Sequence, residues 1–516
     1  MDEFLRTLDL AAFNLAAPIL ALVQRLLNYI ESLLHRTQHL ETELQQAQAE
    51  IARLKDLSPR PAVKPNGKPR VARSHPQARA ATRPTAPATP AAPRAERIKV
   101  DRDVVRPLDR TTLPADFQST GYREVVIQNI VFHTDNVRYR LERGFAPSTN
   151  TFYEADLPAA LQGQAYGPEL HAFTLTLYFE LRVPEKKILA LFCAQQLVIS
   201  AGEISAIVTT KHLARFELER RAILTAGVQT TSYANIDDTA LRVNGVNHHL
   251  ITVGNPDFAA FFIRRYKNHD VIAALFTCER LTPPVTETLP LGPPAPQSDV
   301  EATPLALSTP QPPAGLLPPP LREAVKILVS DDAPQFNDQT EHHAGCWIHE
   351  DRLYDKLHPV LPLHQKQLED FRADYWAYYR RLGAYAAAPT PEAKAQLTTD
   401  FDQLFSRTTG YDDLDHRLAL TRAKKVKLLV VLDFPEVPLH NNQAERDVRE
   451  GVIKRKISSG PRGPDGAQAW EVYFTLLLTC RRQGVNFYAY LRDRIAQTNQ
   501  MPALADWVRA SAPPAK

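Results

Sequence analysis

Three acidic residues stand where a carboxylate is costly unless something neutralises it: Asp237 in ANIDDT, Asp331 in ILVSDD and Glu445 in NNQAER. The two aspartates each close a run of apolar residues with strand character. A carboxylate at the end of a buried strand is expected to be paired or to hold a cation, although the same position also suits a residue that merely turns the chain. Asp237 and Asp331 lie 94 positions apart, and setting aside the proline-rich residues 281–320 leaves 54. That is room for two strands and a helix, so both acids can stand at neighbouring strand ends. Glu445 follows Pro438, Asn441 and Asn442, the last two being helix-capping types, which puts it on the first turn of a helix able to lie across those ends. A first-turn glutamate with Arg449 one turn on is also an ordinary way to complement a helix dipole. Asp238 and Asp332 leave each aspartate site open by one residue; strand alternation favours Asp237 in the register drawn here.

Three converging carboxylates are hard oxygen ligands of the kind Mg²⁺ takes while sharing substrate phosphates. Two such ions, about 3.5–4 Å apart, activate an attacking oxygen and stabilise the leaving oxygen of an in-line phosphoryl transfer. The chemistry implied is the cutting and joining of DNA. Arg446, Arg449, Lys454, Arg455 and Lys456 all fall within 11 residues of Glu445 and suit a polyanion; without the acids they would read as a solvated basic face.

The elements that must carry these groups can be drawn from periodicity. Residues 231–254 read as two strands around an Asn244-Gly245 turn, FAAFFIRRY as a third, HDVIAALF as a helix and KILVSDD as a fourth strand. That order opens a ribonuclease H-like core. Residues 341–432 show helical pattern and almost no strand signal, so they read as an insertion, and helical pattern returns at HNNQAERDVRE and AQAWEVYFTLLLTCRRQG. Upstream, residues 120–153 alternate around Thr134-Asp135-Asn136 as a hairpin or small meander. VPEKKILALFCAQQLVISAGEISAIVTT reads as two short helices with Ser200 capping the second, which suits a DNA-reading helix-turn-helix and an ordinary helical packing unit equally well. Ile30, Leu33, Leu40, Leu44, Ala47, Ile51 and Leu54, with Thr37 filling one step, keep a 3–4 spacing that predicts a coiled coil and self-association.

Composition bounds the rest. The chain has 516 residues, 44% hydrophobic and 23% charged, with four cysteines and no CxxC pair. This argues for a sizeable core and against a disulfide scaffold or zinc ribbon. No stretch carries the ~18–20 apolar residues of a membrane span, and the acidic start MDEFLRTLDL is unlike a signal peptide. A cytoplasmic protein with no membrane partner is expected. Of 42 prolines, 9 fall in residues 58–95, which carry eight Lys or Arg and no acid, and 13 fall in residues 281–320, which carry three acids and no base. The first segment reads as a basic tether, the second as a loop with no attraction for DNA. Cys346, Trp347 and His349 with His342 and His343 match tetrahedral zinc spacing poorly and are expected to pack in the core, as are Trp470, Tyr473 and Phe474. Gly460, Gly463 and Gly466 read as a flexible turn.

IDDTALRVNG, ILVSDDAPQFN with HHAGCWIHEDRLYDKL, and PLHNNQAERDVR followed by KISSGPRGPDGAQAW resemble the three catalytic blocks of DDE transposases of the IS-sixty-six insertion-sequence family, TnpC type. The likeness runs from about residue 98 to 510. It implies Asp237, Asp331 and Glu445 as catalytic and metal-binding residues, two Mg²⁺ with Mn²⁺ as an alternative, and recognition of the terminal inverted repeats of a mobile element. Its partners would be double-stranded DNA, at element ends and target, and element-encoded accessory proteins, and its setting the bacterial nucleoid. Many family members carry a cysteine-paired zinc finger ahead of the core; this chain has none, and the helix-turn-helix and basic tether are expected to replace it. The proline-rich segment between the first two acids is a second departure.

The expected fold class is multidomain α+β/α/β. Its parts are an N-terminal helix and coiled coil (1–57), a basic linker (58–97), a small β-rich domain (98–160) and a helix-turn-helix-like DNA-binding region (161–226). A ribonuclease H-like catalytic core (227–480), interrupted by the 281–320 loop and the 341–432 helical insertion, and a C-terminal helical tail (481–516) complete it. The function expected is cleavage and strand transfer by an insertion-sequence transposase. The alternative is a catalytically inactive end-binding or regulatory protein derived from one.

Overall fold

The computed structural model describes residues 10–13, 15–55, 134–230, 232–275 and 325–511, with isolated positions 100, 104–106, 125 and 127. The chain forms two units, residues 1–43 with 137–516, and residues 44–136. The expected linker at 58–97 and proline-rich loop at 281–320 lie outside the described residues, as does nearly all of 120–133, the first part of the hairpin or small meander expected over 120–153. Of the second unit, the end of a helix and residues 134–136 are the continuous parts described.

In chain order the helix α1 spans Ala17–Lys55, and the strands β1 (Arg143–Ala146) and β2 (Thr151–Glu154) form an antiparallel hairpin. Its turn lies at residues 147–150, so the alternation read around Thr134-Asp135-Asn136 was placed too early; residues 134–140 have no strand pairing. Next come α2 (Pro168–Leu175), a π-helical turn (Thr176–Glu180), α3 (Glu185–Ala194), α4 (Ala201–Thr209) and α5 (Leu213–Thr230). The strands β3 (Tyr233–Val243), β4 (Val246–Gly254) and β5 (Ala259–Arg264) follow, then α6 (His269–Ala273), β6 (Ile327–Ser330) and β7 (His342–Gly345). A helical block holds α7 (Trp347–Tyr354), α8 (Pro362–Ala387), α9 (Pro391–Phe405), α10 (Asp412–Ala423) and α11 (Lys425–Leu428). The chain closes with α12 (Asn442–Ser458), α13 (Gly463–Arg482), α14 (Phe487–Ile495) and α15 (Leu504–Ala510).

The five-stranded sheet has the order β5-β4-β3-β6-β7. β3, β4 and β5 are antiparallel neighbours, whereas β6 runs parallel to β3 and β7 parallel to β6. The β3–β4 turn is the expected Asn244-Gly245, with φ of 48° and 82°; two left-handed residues match the twist of a two-residue hairpin. β7 falls inside the segment read as helical insertion, which therefore begins near residue 346. Its sequence, HHAG, has neither alternation nor β-branching, and its pairing comes from the sheet it joins.

The edge strand β5 is closed by side chains. The amides of Ala259, Phe261 and Ile263 donate to Thr479 Oγ1, Thr475 Oγ1 and Glu471 Oε1 at 3.4, 3.0 and 2.6 Å. Three acceptors spaced four apart on α13 meet every second amide of the strand, so an otherwise exposed ladder is satisfied. Trp470, Tyr473 and Phe474 are buried in the same helix, as expected. The core behind them runs without a break from α2–α5 through the sheet to α13–α15. Hence neither the boundary drawn at residue 226 nor the tail drawn from residue 481 is a packing boundary.

The helical block has its own core around Trp347, Tyr375, Phe401 and Leu414, and α1 is tied to that block through polar groups. The buried Glu31 accepts from the amides of Val360 and Leu361 and meets His364 Nδ1 at 3.2 Å, while Asn28 bonds the Gly410 carbonyl and the Asp412 amide. Glu31 thus caps α8, whose own residue at that position has no capping side chain. On the other face of α1, Ile30, Leu33 and Leu40 are 42, 44 and 54% exposed.

Candidate active site

Along β3 and β6 the paired residues keep one offset: Tyr233 with Ile327, Ala234 with Leu328, Asn235 with Val329. Asp237 and Asp331 have the same offset two residues further on. Asp331 follows directly on the end of β6, and its negative charge is felt at Asp237. Asp237 is not at a strand end as expected: β3 runs on to Val243, paired with β4, and Asp237 lies two residues past its last pair with β6. Asn235, two residues before Asp237 on the same face of β3, donates from Nδ2 to Asn441 Oδ1 at 2.9 Å. Asn441 is fully buried. Its own Nδ2 donates to the Ile236 carbonyl at 2.7 Å and its amide to Cys346 Sγ at 3.3 Å. Asn441 is the residue before α12 but makes no side-chain cap there. Its amide group is used instead to peg the start of α12 to β3, and Glu445 N–H donates to the Asn441 carbonyl one turn on. Further along, Gly451 lets α12 lie on the sheet, since a Cβ there would sit 2.2 Å from Leu250 Cδ2.

The aspartates and their neighbours differ in charge environment. Asp238 binds Lys267 Nζ at 2.9 Å, accepts from Gln335 and has His249 at 3.5 Å. Asp332 is paired with Lys424 and Lys427 at 2.9 and 3.0 Å. Burial works to raise the Asp332 carboxyl, but the two lysines hold it below the usual carboxylate range. Among the described residues, no lysine or arginine pairs with Asp237 or Asp331; their carboxylates accept only from the amides of Asp238 and Ala333. Burial pushes Asp237 up to about 7, and the negative charges of Asp331, Glu445 and Asp238 add to it. Asp237 thus senses the neighbouring acids, and neither it nor Asp331 has a countercharge.

Glu445 is approached from α7. Its Oε2 lies 3.4 Å from Arg352 Nη2, and its Oε1 lies 3.5 Å from His349 Nε2 and is buried without a hydrogen-bond partner. Burial holds His349 below the usual imidazole range, Arg352 adds to this, and Glu445 and Asp331 oppose it. Trp347, on the same helix, is in the core as expected. His349 instead faces the acids, a placement that its helical spacing from Trp347 did not reveal. Among the described residues, no group of three or more His, Cys, Asp or Glu is drawn together closely enough to enclose a metal ion. The donor chemistry nevertheless fits one: hard oxygens without countercharge at Asp237 and Asp331, and an unpartnered buried oxygen on Glu445.

Of the basic residues near Glu445, Arg446, Arg449 and Lys456 are exposed and Arg455 is partly so. Lys454 departs from expectation. It is fully buried, with its ammonium 3.3 Å from the centre of the Tyr178 ring, and burial lowers it to about 7. A side chain packed there does not reach a DNA phosphate, so Lys454 is removed from the expected contacts; its helical phase places it opposite the exposed bases. The turn read as flexible is also packed: a Cβ on Gly460 would meet the Arg242 carbonyl at 2.0 Å. The α3–turn–α4 pair forms, with Ser200 Oγ accepting from the Glu203 amide at 3.1 Å. Its second helix, AGEISAIVT, carries no Lys, Arg, Asn or Gln, the side chains that most often read base edges.

Residues 323–469 match the family model described as "Transposase IS66 family". That stretch is similar to the transposases of the IS66 family. It takes in β6, β7, the helical block, α12 and the start of α13, and so contains Asp331, Glu445, His349 and Arg352 but not Asp237. Two relatives in Sinorhizobium fredii (strain NBRC 101917 / NGR234) resemble the chain. Uncharacterized protein y4jO is 41% identical over 187 residues, 36% of this chain and 58% of the relative. Uncharacterized protein y4qI is 26% identical over 198 residues, 35% of this chain and 36% of the relative. The chain therefore spans less than two thirds of either relative. No helix among the described residues is long and apolar enough to cross a membrane.

Proposed function

We propose that the chain is an insertion-sequence transposase that cuts DNA at the ends of its element and joins the freed 3′-hydroxyls to target DNA, with Asp237, Asp331 and Glu445 as the catalytic carboxylates. The observation that carries this reading is a pair of uncompensated aspartates on adjacent parallel strands, Asp237 within β3 just past its last pair with β6 and Asp331 directly after β6, with Glu445 on a helix pegged to β3. The sheet order, three antiparallel strands and then two parallel ones, is that of a ribonuclease H-like core and supports it.

When bound at these carboxylates, two Mg²⁺ (or Mn²⁺) would activate the attacking oxygen and stabilise the leaving one. Asp237 and Asp331 hold negative charge on β3 and just after β6, and Asn441 ties the helix of Glu445 to β3. Arg446, Arg449, Arg455 and Lys456 bind DNA phosphates along α12. With no basic or amide side chain on α4, sequence reading at the inverted repeats falls to other segments. The exposed apolar face of α1 pairs with a second copy as a coiled coil, its polar face being occupied by the helical block. The enzyme works in the bacterial cytoplasm at the nucleoid, with accessory proteins of the element as further partners.

Glu445→Gln tests the assignment. It keeps the size and hydrogen-bonding reach of the side chain but removes the charge. DNA-end binding should persist while cleavage and joined product vanish from a denaturing gel. Undiminished joining would remove Glu445 from the mechanism, and end binding without product in the unaltered protein, even with the element's other proteins added, would favour the inactive end-binding reading.

A further inference from the structure

The three acids nearest to the unpaired Asp237 and Asp331 each have their own cation. Asp238 has Lys267, Asp332 has Lys424 and Lys427, and Glu445 has Arg352. The first two arrangements use ammonium groups at 2.9–3.0 Å. The third is loose: the guanidinium approaches Glu445 Oε2 at 3.4 Å, its side chain is 51% exposed, and its other strong contact is His349 Nε2 at 3.0 Å, where the ring nitrogen accepts. Arg352 also lines a cleft of about 350 Å³ with Asp331, His349, Lys356 and Lys427. Lys356 is exposed. A planar, permanently charged fork beside a second cation is well suited to take a phosphate through two parallel hydrogen bonds.

We propose that Arg352 is a displaceable substrate-binding cation: it neutralises Glu445 while the site is without metal and, when a divalent ion takes that carboxylate, turns to a phosphate of the DNA strand in the adjoining cleft. This rests on the reading of Glu445 as a metal ligand. A divalent ion on Glu445 Oε1 and a guanidinium on Oε2 of the same carboxylate repel each other, so ion binding and the Arg352–Glu445 contact oppose each other. The freed guanidinium is then available where the reacting phosphate must lie. His349 positions it, since its acceptor nitrogen keeps the fork at the cleft.

The experiment uses the full chain. Mn²⁺ is titrated in without DNA and free ion is followed by electron paramagnetic resonance. Arg352→Ala should tighten Mn²⁺ about fivefold or more and Arg352→Lys by less, whereas Glu445→Gln should weaken it at least about tenfold. In a second arm, binding of a DNA duplex is measured with Ca²⁺ in place of Mg²⁺ and again in EDTA. The Arg352→Ala loss should be about fivefold or more with Ca²⁺ and absent in EDTA. Mn²⁺ affinity that is unchanged or weakened by Arg352→Ala, while Glu445→Gln loses the ion, overturns the displacement and leaves the metal reading standing. An equal DNA penalty with and without Ca²⁺ makes Arg352 a constant phosphate contact and also overturns it. If Glu445→Gln binds Mn²⁺ as the unaltered chain does, the metal reading fails and this proposal fails with it.

Discussion

The two halves of the candidate site are held by different physics. Asp237 is placed by the backbone ladders of β3, which pairs it with Thr252 of β4, and Asp331 by following directly on β6, the parallel neighbour of β3. Glu445 is placed by side chains: one buried asparagine pegs its helix to β3, and one glycine lets that helix approach β4. A ladder spreads its positional information over many peptide groups, whereas a peg concentrates it in one amide. The strand half should therefore tolerate substitution around it, and the helix half should fail at a single residue.

Breaking the peg should have the largest effect. Asn441→Leu leaves Asn235 Nδ2 and the Ile236 carbonyl buried without those partners. The expected cost is about 2–4 kcal/mol of stability in urea melts, with cleavage falling ~100-fold even where the protein remains folded, because a misplacement of about 1 Å is enough for that. A comparable loss from Asn442→Ala would show that the peg is not special.

Next in size is the charge on the ladder half. Because the Asp237 carboxyl is raised to about 7 in the fold from an ordinary value near 3.8, folding disfavours its ionised form. Stability is then greatest below about pH 4 and is lost as pH rises towards 7. In EDTA, Asp237→Asn should match the parent near pH 4 and exceed it by ~1–3 kcal/mol at pH 8, allowing for the partial exposure of the site. Saturating Mn²⁺ should shrink or reverse the gain. A variant no more stable than the parent at pH 8 would mean that the acids do not repel one another as described.

Smaller effects sharpen the same contrast. Thr475→Val removes the acceptor for the Phe261 amide at the edge of the sheet, and should cost ~1–2 kcal/mol in thermal melts without changing the metal dependence of cleavage. Arg449→Ala, on the exposed side of α12, should leave stability within ~0.5 kcal/mol, weaken DNA binding, and lower the slope of log affinity against log salt by about 1.

The ladder half was largely legible in the sequence. Alternation, the Asn244-Gly245 turn and the apolar runs ending in aspartate are local signals, and the strands β3–β6 stand where they were drawn. β7 was not legible, because HHAG has no strand propensity and pairs only once β6 is present. The proposed choice of Asp237 and Asp331 over their neighbours rests on the pairing of Asp238 and Asp332 with lysines 29 and 92 or more positions away in the chain, Lys267, Lys424 and Lys427. Asn441 was read as a cap because local context favours that use; only its partners on β3 disclose the other. His349 and Arg352 stood in a block already singled out, but with Trp347 buried beside them the histidine read as core. Lys454 counted among the bases by proximity in sequence, whereas its phase on α12 turns it inward to Tyr178.

The central claim is that these three acids, and not their neighbours, hold the catalytic metal. Crystals of the full chain soaked in Mn²⁺ and measured at the manganese absorption edge test it most directly. The account predicts anomalous peaks bonded to Asp237, Asp331 and Glu445, lost in the Asp331→Asn protein. A peak held by Asp238 or Asp332, or none at an occupancy-saturating concentration, would contradict it.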